Sequence, residues 1–298
     1  MRLNSNSKLC NINCYKPGQI RISYDRLLDK VYFSPCCSIF LKQFIEPLSF
    51  DYDKFINNIE YCLEQYKNFD LTRLSDYYYG KCEQVFPYSS ICSDYTWNSY
   101  DIQEIELAIF RRCNLRCSMC KLDHSSNDRE EQLHLKVLNY FKNKSLNRIL
   151  YTAFGEPMLF KDLIFDFLEN SKIKKHEIIT NAMLLSEEDI IKLSKYKDKL
   201  IIAVSCDGIS KNMYESIRIG GNFEKVFNNI LLLKSHGLLQ RVNYVMQDKN
   251  ISEHNEVIPF FENLGIHLTT IIDGDFDLKN NKDLLNKNML KRHGNYNF

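Results

Sequence analysis

Three cysteines dominate the chemistry this chain can perform. The run Cys113-Asn114-Leu115-Arg116-Cys117-Ser118-Met119-Cys120 spaces them as C-x3-C-x2-C. Thiolates are soft ligands suited to iron–sulfur clusters or zinc. Three of them on one tight loop can hold three irons of a cubane and leave the fourth iron without a protein ligand. That open iron is a position a chelating substrate could occupy. His124 follows closely, so the same stretch also fits a Cys3His structural zinc site. By spacing alone the two readings stand level.

The elements that must carry this loop alternate along the chain. Strand candidates are Ile105–Phe110, Arg148–Ala153, Glu177–Thr180, Leu200–Ser205, Arg241–Met246 and His267–Ile272. Helical periodicity falls near Arg129–Lys142, Leu163–Asn170, Glu187–Lys195, Phe223–Ser235 and Glu253–Leu264. Ser186 and Ser252 precede acidic first turns and are expected N-caps, and Gly237 and Gly265 sit where helices should stop. Strand–helix alternation of this kind predicts an α/β fold of βαβ units around a parallel sheet, open or closed as a partial barrel. The cysteine loop then leaves the C-terminal end of the first strand, where parallel α/β folds place their active sites.

Other polar residues fall at the same end. Gly155 and Glu156, with Pro157, follow the second strand, Thr180 and Asn181 end the third, and Ser205-Cys206-Asp207 end the fourth, with Arg218 further on. A carboxylate such as Glu156 can pair with an ammonium, and an arginine fork suits a carboxylate. Read singly, Gly155-Glu156-Pro157 is also an ordinary turn and Arg218 a solvated charge. Ser205 and Asp207 alternate along one strand face, so Cys206 points the other way and packs as a small hydrophobe. A twist of the strand end would instead bring its thiol to a substrate as a hydrogen donor.

Taken in order, these motifs resemble the radical S-adenosylmethionine (radical SAM) superfamily. The cysteine loop is similar to that family's signature, and Phe154-Gly155-Glu156-Pro157 resembles its GGEP motif with Phe154 in place of the first glycine. Thr180-Asn181-Ala182 resembles TNG, and Ser205-Cys206-Asp207-Gly208 resembles S-x-D-G. Asn243–Met246 with Asn250, and Leu264-Gly265-Ile266, match the fifth strand and the end of the next helix. The resemblance implies a partial (β/α)6 TIM-like barrel over 101–275. It also implies a [4Fe–4S] cluster on Cys113, Cys117 and Cys120, with S-adenosylmethionine at Gly155, Glu156, Thr180, Asn181, Ser205, Asp207 and Arg218. In such an enzyme, reductive cleavage gives a 5′-deoxyadenosyl radical that abstracts hydrogen from a substrate C–H bond. A flavodoxin or ferredoxin would be the electron donor.

Residues 1–100 lack the α/β rhythm and are rich in Tyr, Phe and Cys, as expected of a small Cys-rich α+β cap. Gln19–Tyr24 and Lys30–Ser34 predict a β-hairpin, and Asp53–Lys67 a helix. Of 11 cysteines, all but Cys206 lie between Cys10 and Cys120, an odd count that suits metal ligation better than disulfides. Cys14 before the hairpin and Cys36-Cys37 after it resemble the SPASM/twitch auxiliary-cluster module, here placed before the barrel and lacking its later C-x2-C pair. That resemblance implies a second [4Fe–4S] cluster on Cys14, Cys36, Cys82 and Cys92, with Cys37 and Cys10 as substitutes; zinc or free thiols are the alternatives. Cys62, inside the helical stretch, reads as a buried small hydrophobe. Residues 276–298 read as a polar tail.

Bulk properties narrow the partners. The net charge of +1, from 39 basic and 38 acidic residues, gives no electrostatic pull toward nucleic acid or an anionic membrane. The start is too polar for a signal peptide and no apolar run would span a bilayer, so the expected location is cytoplasmic. The leading expectation is modification of a ribosomally made peptide. A sugar or aminocyclitol dehydrogenase or epimerase comes second, and a non-catalytic zinc or iron–sulfur scaffold third.

Overall fold

The computed structural model describes residues 19–25, 27–34, 49–68, 102–108, 112–120, 122, 124, 128–152 and 155–272. They fall into two compact units divided between Gln103 and Glu104. In the first, β1 (Gln19–Asp25) and β2 (Lys30–Ser34) form the expected antiparallel hairpin, and β3 (Ser49–Asp51) pairs antiparallel to β2. The predicted Asp53–Lys67 helix is two helices, α1 (Tyr52–Asn57) and α2 (Ile59–Lys67). Asn58 breaks the run at φ −148°, and its side chain accepts from Tyr61 N to cap α2, an asparagine preference that a count of apolar positions does not register. Phe33 is the hub of this unit's core, with Phe50, Phe55 and Tyr66 ring centroids 5.4, 5.5 and 5.7 Å away. Cys62 is fully buried in it.

The second unit holds β4 (Glu104–Ala108), β5 (Arg116–Cys117), α3 (Asp128–Phe141), β6 (Arg148–Tyr151), α4 (Lys161–Asn170), β7 (Lys175–Thr180) and α5 (Glu187–Ser194). There follow β8 (Leu200–Ser205), α6 (Lys211–Ile217), β9 (Arg218–Ile219), α7 (Phe223–Ser235), β10 (Leu239–Met246), α8 (His254–Asn263) and β11 (Leu268–Ile272). The strands β4, β6, β7, β8, β10 and β11 pair in parallel, each with its predecessor. Spatial order therefore equals chain order, with no switch point. Crossovers of one hand then put the helices on one face and leave the other concave, which is the partial (β/α)6 barrel the sequence predicts.

The concave face is polar at its floor. Glu177 of β7 accepts from Arg148 of β6 at 2.6 Å and from Arg241 of β10 at 2.8 Å. The second contact reaches past β8, which curvature of the sheet brings within range. Ser186 caps α5 through a capping box with Asp189, as expected. Gly237 and Gly265 follow α7 and α8 at φ 70° and 63°, a conformation open to glycine without strain. Ser252 is not the expected N-cap: a 3-10 turn over Ile251–Glu253 precedes α8, and Ser252 lies inside it. Helix α6, which the sequence reading did not anticipate, is only seven residues long and is capped by Ser210.

Candidate active site

The cysteine loop, Glu156, Thr180, Asn181, Ser205, Asp207 and Arg218 lie at the C-terminal ends of the strands. The cysteine loop is held there by its backbone. Arg116 and Cys117 pair antiparallel with Ile219 and Arg218, and Ser118 N donates to Ile217 O at 2.8 Å. Leu115 is buried beneath the loop, and Cys120 N donates to Cys117 O at 3.0 Å to close its last turn. Cys113 and Cys117 are half-buried and Cys120 is exposed. Burial pushes the thiols of Cys113 and Cys117 up; the Leu115 N–H partly offsets this at Cys113, and the Arg218 guanidinium does so at Cys117. Without metal they are therefore held as thiols, and ligation must displace the protons.

Side-chain donors from elsewhere approach the sulfurs. Asn181 Nδ2 lies 3.8 Å from Cys113 Sγ and 2.9 Å from Asn114 Oδ1, and Arg218 Nη1 lies 3.9 Å from Cys117 Sγ. His124 turns its Nδ1 to the Arg116 guanidinium at 2.5 Å, away from the role of a fourth zinc ligand. Among the described residues no three His, Cys, Asp or Glu side chains converge on one ion. The donor set, three soft thiols along one loop with N–H groups around them, fits three corners of a cubane.

Behind the loop lies a knot centred on Glu156. This carboxylate is 2% exposed and accepts three hydrogen bonds. Oε1 takes Met158 N at 2.9 Å and Thr180 Oγ1 at 2.5 Å, and Oε2 takes Asn181 N at 2.8 Å. Burial pushes its carboxyl up, against the pull of those bonds. Glu156 N in turn donates to Arg112 O at 2.8 Å, which ties the turn to the start of the cysteine loop. Ala182 follows with φ 57°, unusual for a residue with a Cβ. It is held by Thr180 Oγ1, which accepts from its N–H, and by Asn229 Nδ2, which donates to its carbonyl at 2.8 Å.

Asp207 is fully buried and pairs with Arg218 at 2.7 Å, while its other oxygen accepts from Val245 N at 2.7 Å. Burial works against the Arg218 charge, but Asp207 and Cys117 outweigh it and hold the guanidinium charged. Its buried Nε finds no hydrogen-bond partner among the described residues. Ser205 ends β8 half-buried. Cys206 is completely enclosed, donates to Gly208 O at 3.3 Å, and has its thiol pushed up to about 12 by burial first. A Cβ at Gly208 would stand 2.7 Å from Tyr214 N, so this turn has room only for glycine. Gly155 lies at the start of the turn; Phe154, Cys14, Cys36, Cys82, Cys92, Cys37 and Cys10 lie outside the described residues.

Sequence reasoning missed Asn229, Gln247 and the β5–β9 ladder. Each works through contacts remote in sequence. Only the resemblance of Asn243–Met246 with Asn250 to a family's fifth strand pointed to the buried Asn250, whose Nδ2 donates to Asp207 O at 3.1 Å and to Val245 O at 2.9 Å.

Comparison with known proteins gives the family of the chain. A sequence model of the radical SAM superfamily matches residues 107–261. The antilisterial bacteriocin subtilosin biosynthesis protein AlbA of Bacillus subtilis is 29% identical over 163 residues, 52% of this chain and 35% of that protein. GTP 3′,8-cyclase of Clostridium botulinum is 32% identical over 139 residues, covering 43% of this chain and 42% of the cyclase. The chain thus spans less than half the length of these curated relatives. Among solved structures, Streptococcus suis SuiB bound to S-adenosylmethionine aligns with a TM-score of 0.46 at 19% identity, covering 65% of this chain and 49% of SuiB. No helix among the described residues is long and apolar enough to cross a membrane.

Proposed function

The chain belongs to the radical SAM superfamily, whose cofactors are a [4Fe–4S] cluster and S-adenosylmethionine, and we propose that it modifies a ribosomally made peptide. The observation that carries the site assignment is the cysteine loop pinned to the strand ends, with Asn181 and Arg218 aimed at two of its sulfurs. When bound, the two cofactors supply a 5′-deoxyadenosyl radical for hydrogen abstraction. The chain's own residues bind and orient. Cys113, Cys117 and Cys120 ligate three irons. Arg218, charged and with a buried Nε to spare, takes the methionyl carboxylate. The Gly155–Glu156 turn receives the ammonium, with Glu156 adding negative charge behind it, and Ser205, Thr180 and Asn181 complete the wall.

The likeness to AlbA favours a peptide substrate. We read the cysteines at 14, 36, 82 and 92 as ligands of an auxiliary [4Fe–4S] cluster that accepts an electron or anchors the peptide, and a flavodoxin or ferredoxin as electron donor. The second reading, a small polar substrate such as a sugar or aminocyclitol, draws support from the likeness to a cyclase acting on GTP and from the charged barrel floor of Arg148, Glu177 and Arg241.

Anaerobic reconstitution tests the first claim. About eight irons per chain are expected from two cubanes; about four would remove the auxiliary cluster, and stoichiometric zinc without iron would remove both. Changing Cys113, Cys117 and Cys120 together to Ala should abolish 5′-deoxyadenosine formation, and undiminished cleavage would refute the assignment. A mass change in a short peptide encoded beside this gene would separate the peptide reading from the small-molecule one.

A further inference from the structure

One polar group at the strand ends has no assigned task. Gln247, immediately after β10, is 8% exposed. Its backbone is fixed by its N–H, which donates to Asn250 Oδ1 at 2.9 Å. Its side-chain Oε1 accepts from the hydroxyl of Ser118, between Cys117 and Cys120, at 3.3 Å. Its Nε2 is buried and has no hydrogen-bond partner among the described residues. A buried amide donor left without an acceptor is costly, so a well-built site supplies one. Along β10, Arg241, Asn243, Val245 and Gln247 share one face by alternation, and Arg241 reaches Glu177 across that face. The free donor therefore sits on the concave side, on the same carboxamide that grips the cysteine loop.

We infer that Gln247 is a positioning residue that offers this N–H to a sulfur of the cluster on Cys113, Cys117 and Cys120, and so sets its reduction potential. The inference rests on the cluster assignment above. Reduction adds negative charge to the cluster, and an N–H aimed at its sulfur stabilises that charge, raising the potential. Asn181 and Arg218 approach Cys113 and Cys117 in the same sense.

The test is an EPR-monitored redox titration of the full chain, reconstituted without S-adenosylmethionine. The signal to follow is the one that vanishes when Cys113, Cys117 and Cys120 are changed to Ala. Gln247→Leu should make reduction about tenfold less favourable, a shift of about 59 mV to more negative potential for one electron. Ser118→Ala keeps the donor and should retain the wild-type potential. An unchanged potential in Gln247→Leu overturns the inference. So does the same shift in Ser118→Ala, because the effect then belongs to loop geometry. Gln247→Met replaces Gln247→Leu if the latter fails to load iron. Wild-type iron content separates the two failures: no cubane on the loop refutes the cluster assignment itself.

Discussion

Glu156→Gln is the sharpest test of how the site is held together. The substitution preserves shape but replaces one acceptor oxygen with a donor, in a place where three protein donors converge. The better amide orientation keeps the carbonyl toward Met158 N and Thr180 Oγ1 and turns the new NH2 against Asn181 N, where Oε2 now accepts at 2.8 Å. One buried backbone N–H is orphaned, at about 1–3 kcal/mol. The two remaining bonds also lose their charge assistance, about 1 kcal/mol each. Burial of the charge, which pushes the carboxyl up, offsets part of this, because the neutral amide is cheaper to bury. The net cost is about 2–4 kcal/mol. Asn181 moves with its backbone, so its Nδ2 contacts to Asn114 and Cys113 loosen, and S-adenosylmethionine should bind at least tenfold more weakly. Urea denaturation and equilibrium dialysis against the reconstituted protein measure the two effects. A variant within 0.5 kcal/mol of wild type by the usual surface-substitution standard, with unchanged affinity, would refute the knot as the organiser of this end of the barrel.

Ala182→Gly should be neutral or stabilise by up to about 1 kcal/mol in urea, since φ 57° suits glycine better. Asn229→Leu, which strips the carbonyls of Ala182 and Leu185 of their donor, should cost about 2–4 kcal/mol. His176 is buried, and burial first, then Lys199, lowers its pKa to about 3. The unfolded chain takes up that proton below pH 6.5 and the folded chain does not, so stability falls with pH from 6.5 toward 3, by about 2 kcal/mol at pH 5. Burial lowers the pKa of His134 to about 3 as well, so His176→Gln should lessen the slope over that range without abolishing it, and an unchanged slope would place the acid sensitivity elsewhere. Cys206→Ser should leave S-adenosylmethionine cleavage and product stereochemistry unaltered, because the thiol is enclosed and held to Gly208 O. Loss of an inverted, deuterium-labelled centre in deuterated water would instead make Cys206 the hydrogen donor.

Much of the barrel was legible because period and punctuation agree. Leu200–Ser205 and Phe223–Ser235 have the bounds read from apolar runs, and Ser186, Gly237 and Gly265 end or begin helices as their types require. The candidate site positions Glu156, Thr180, Asn181, Ser205 and Asp207 were singled out by their resemblance, in order, to the motifs of one family, and they follow or end successive strands. Helix α6 escaped because seven residues give too little period to register. The β5–β9 ladder escaped because it joins residues about a hundred apart in two-residue strands, which leave no local pattern. Asn229 escaped because an asparagine on a helix looks solvated until its buried side is known.

These missed features explain why the motifs had to occur together. Among the described residues the cysteine loop closes one backbone turn hydrogen bond of its own, adds local contacts from Leu115 N and the Arg116 side chain, and buries one leucine. Its geometry is borrowed from Arg218 through a two-residue ladder and from Asn181 through Asn114. Arg218 is in turn fixed by Asp207, Asp207 by Val245 N and Asn250, and Asn181 by Glu156. Two chains of contacts, one from β6 and β7 and one from β8 and β10, therefore close on a single loop. Residues in contact within one network couple by about 0.5–3 kcal/mol, whereas distant sites add. Paired variants drawn from the two chains, such as Glu156→Gln with Asp207→Asn, should therefore show additive losses in global stability but non-additive losses in S-adenosylmethionine affinity, because only the loop is shared. Full additivity in both would mean that the two chains hold separate structures and that the loop is positioned by something else.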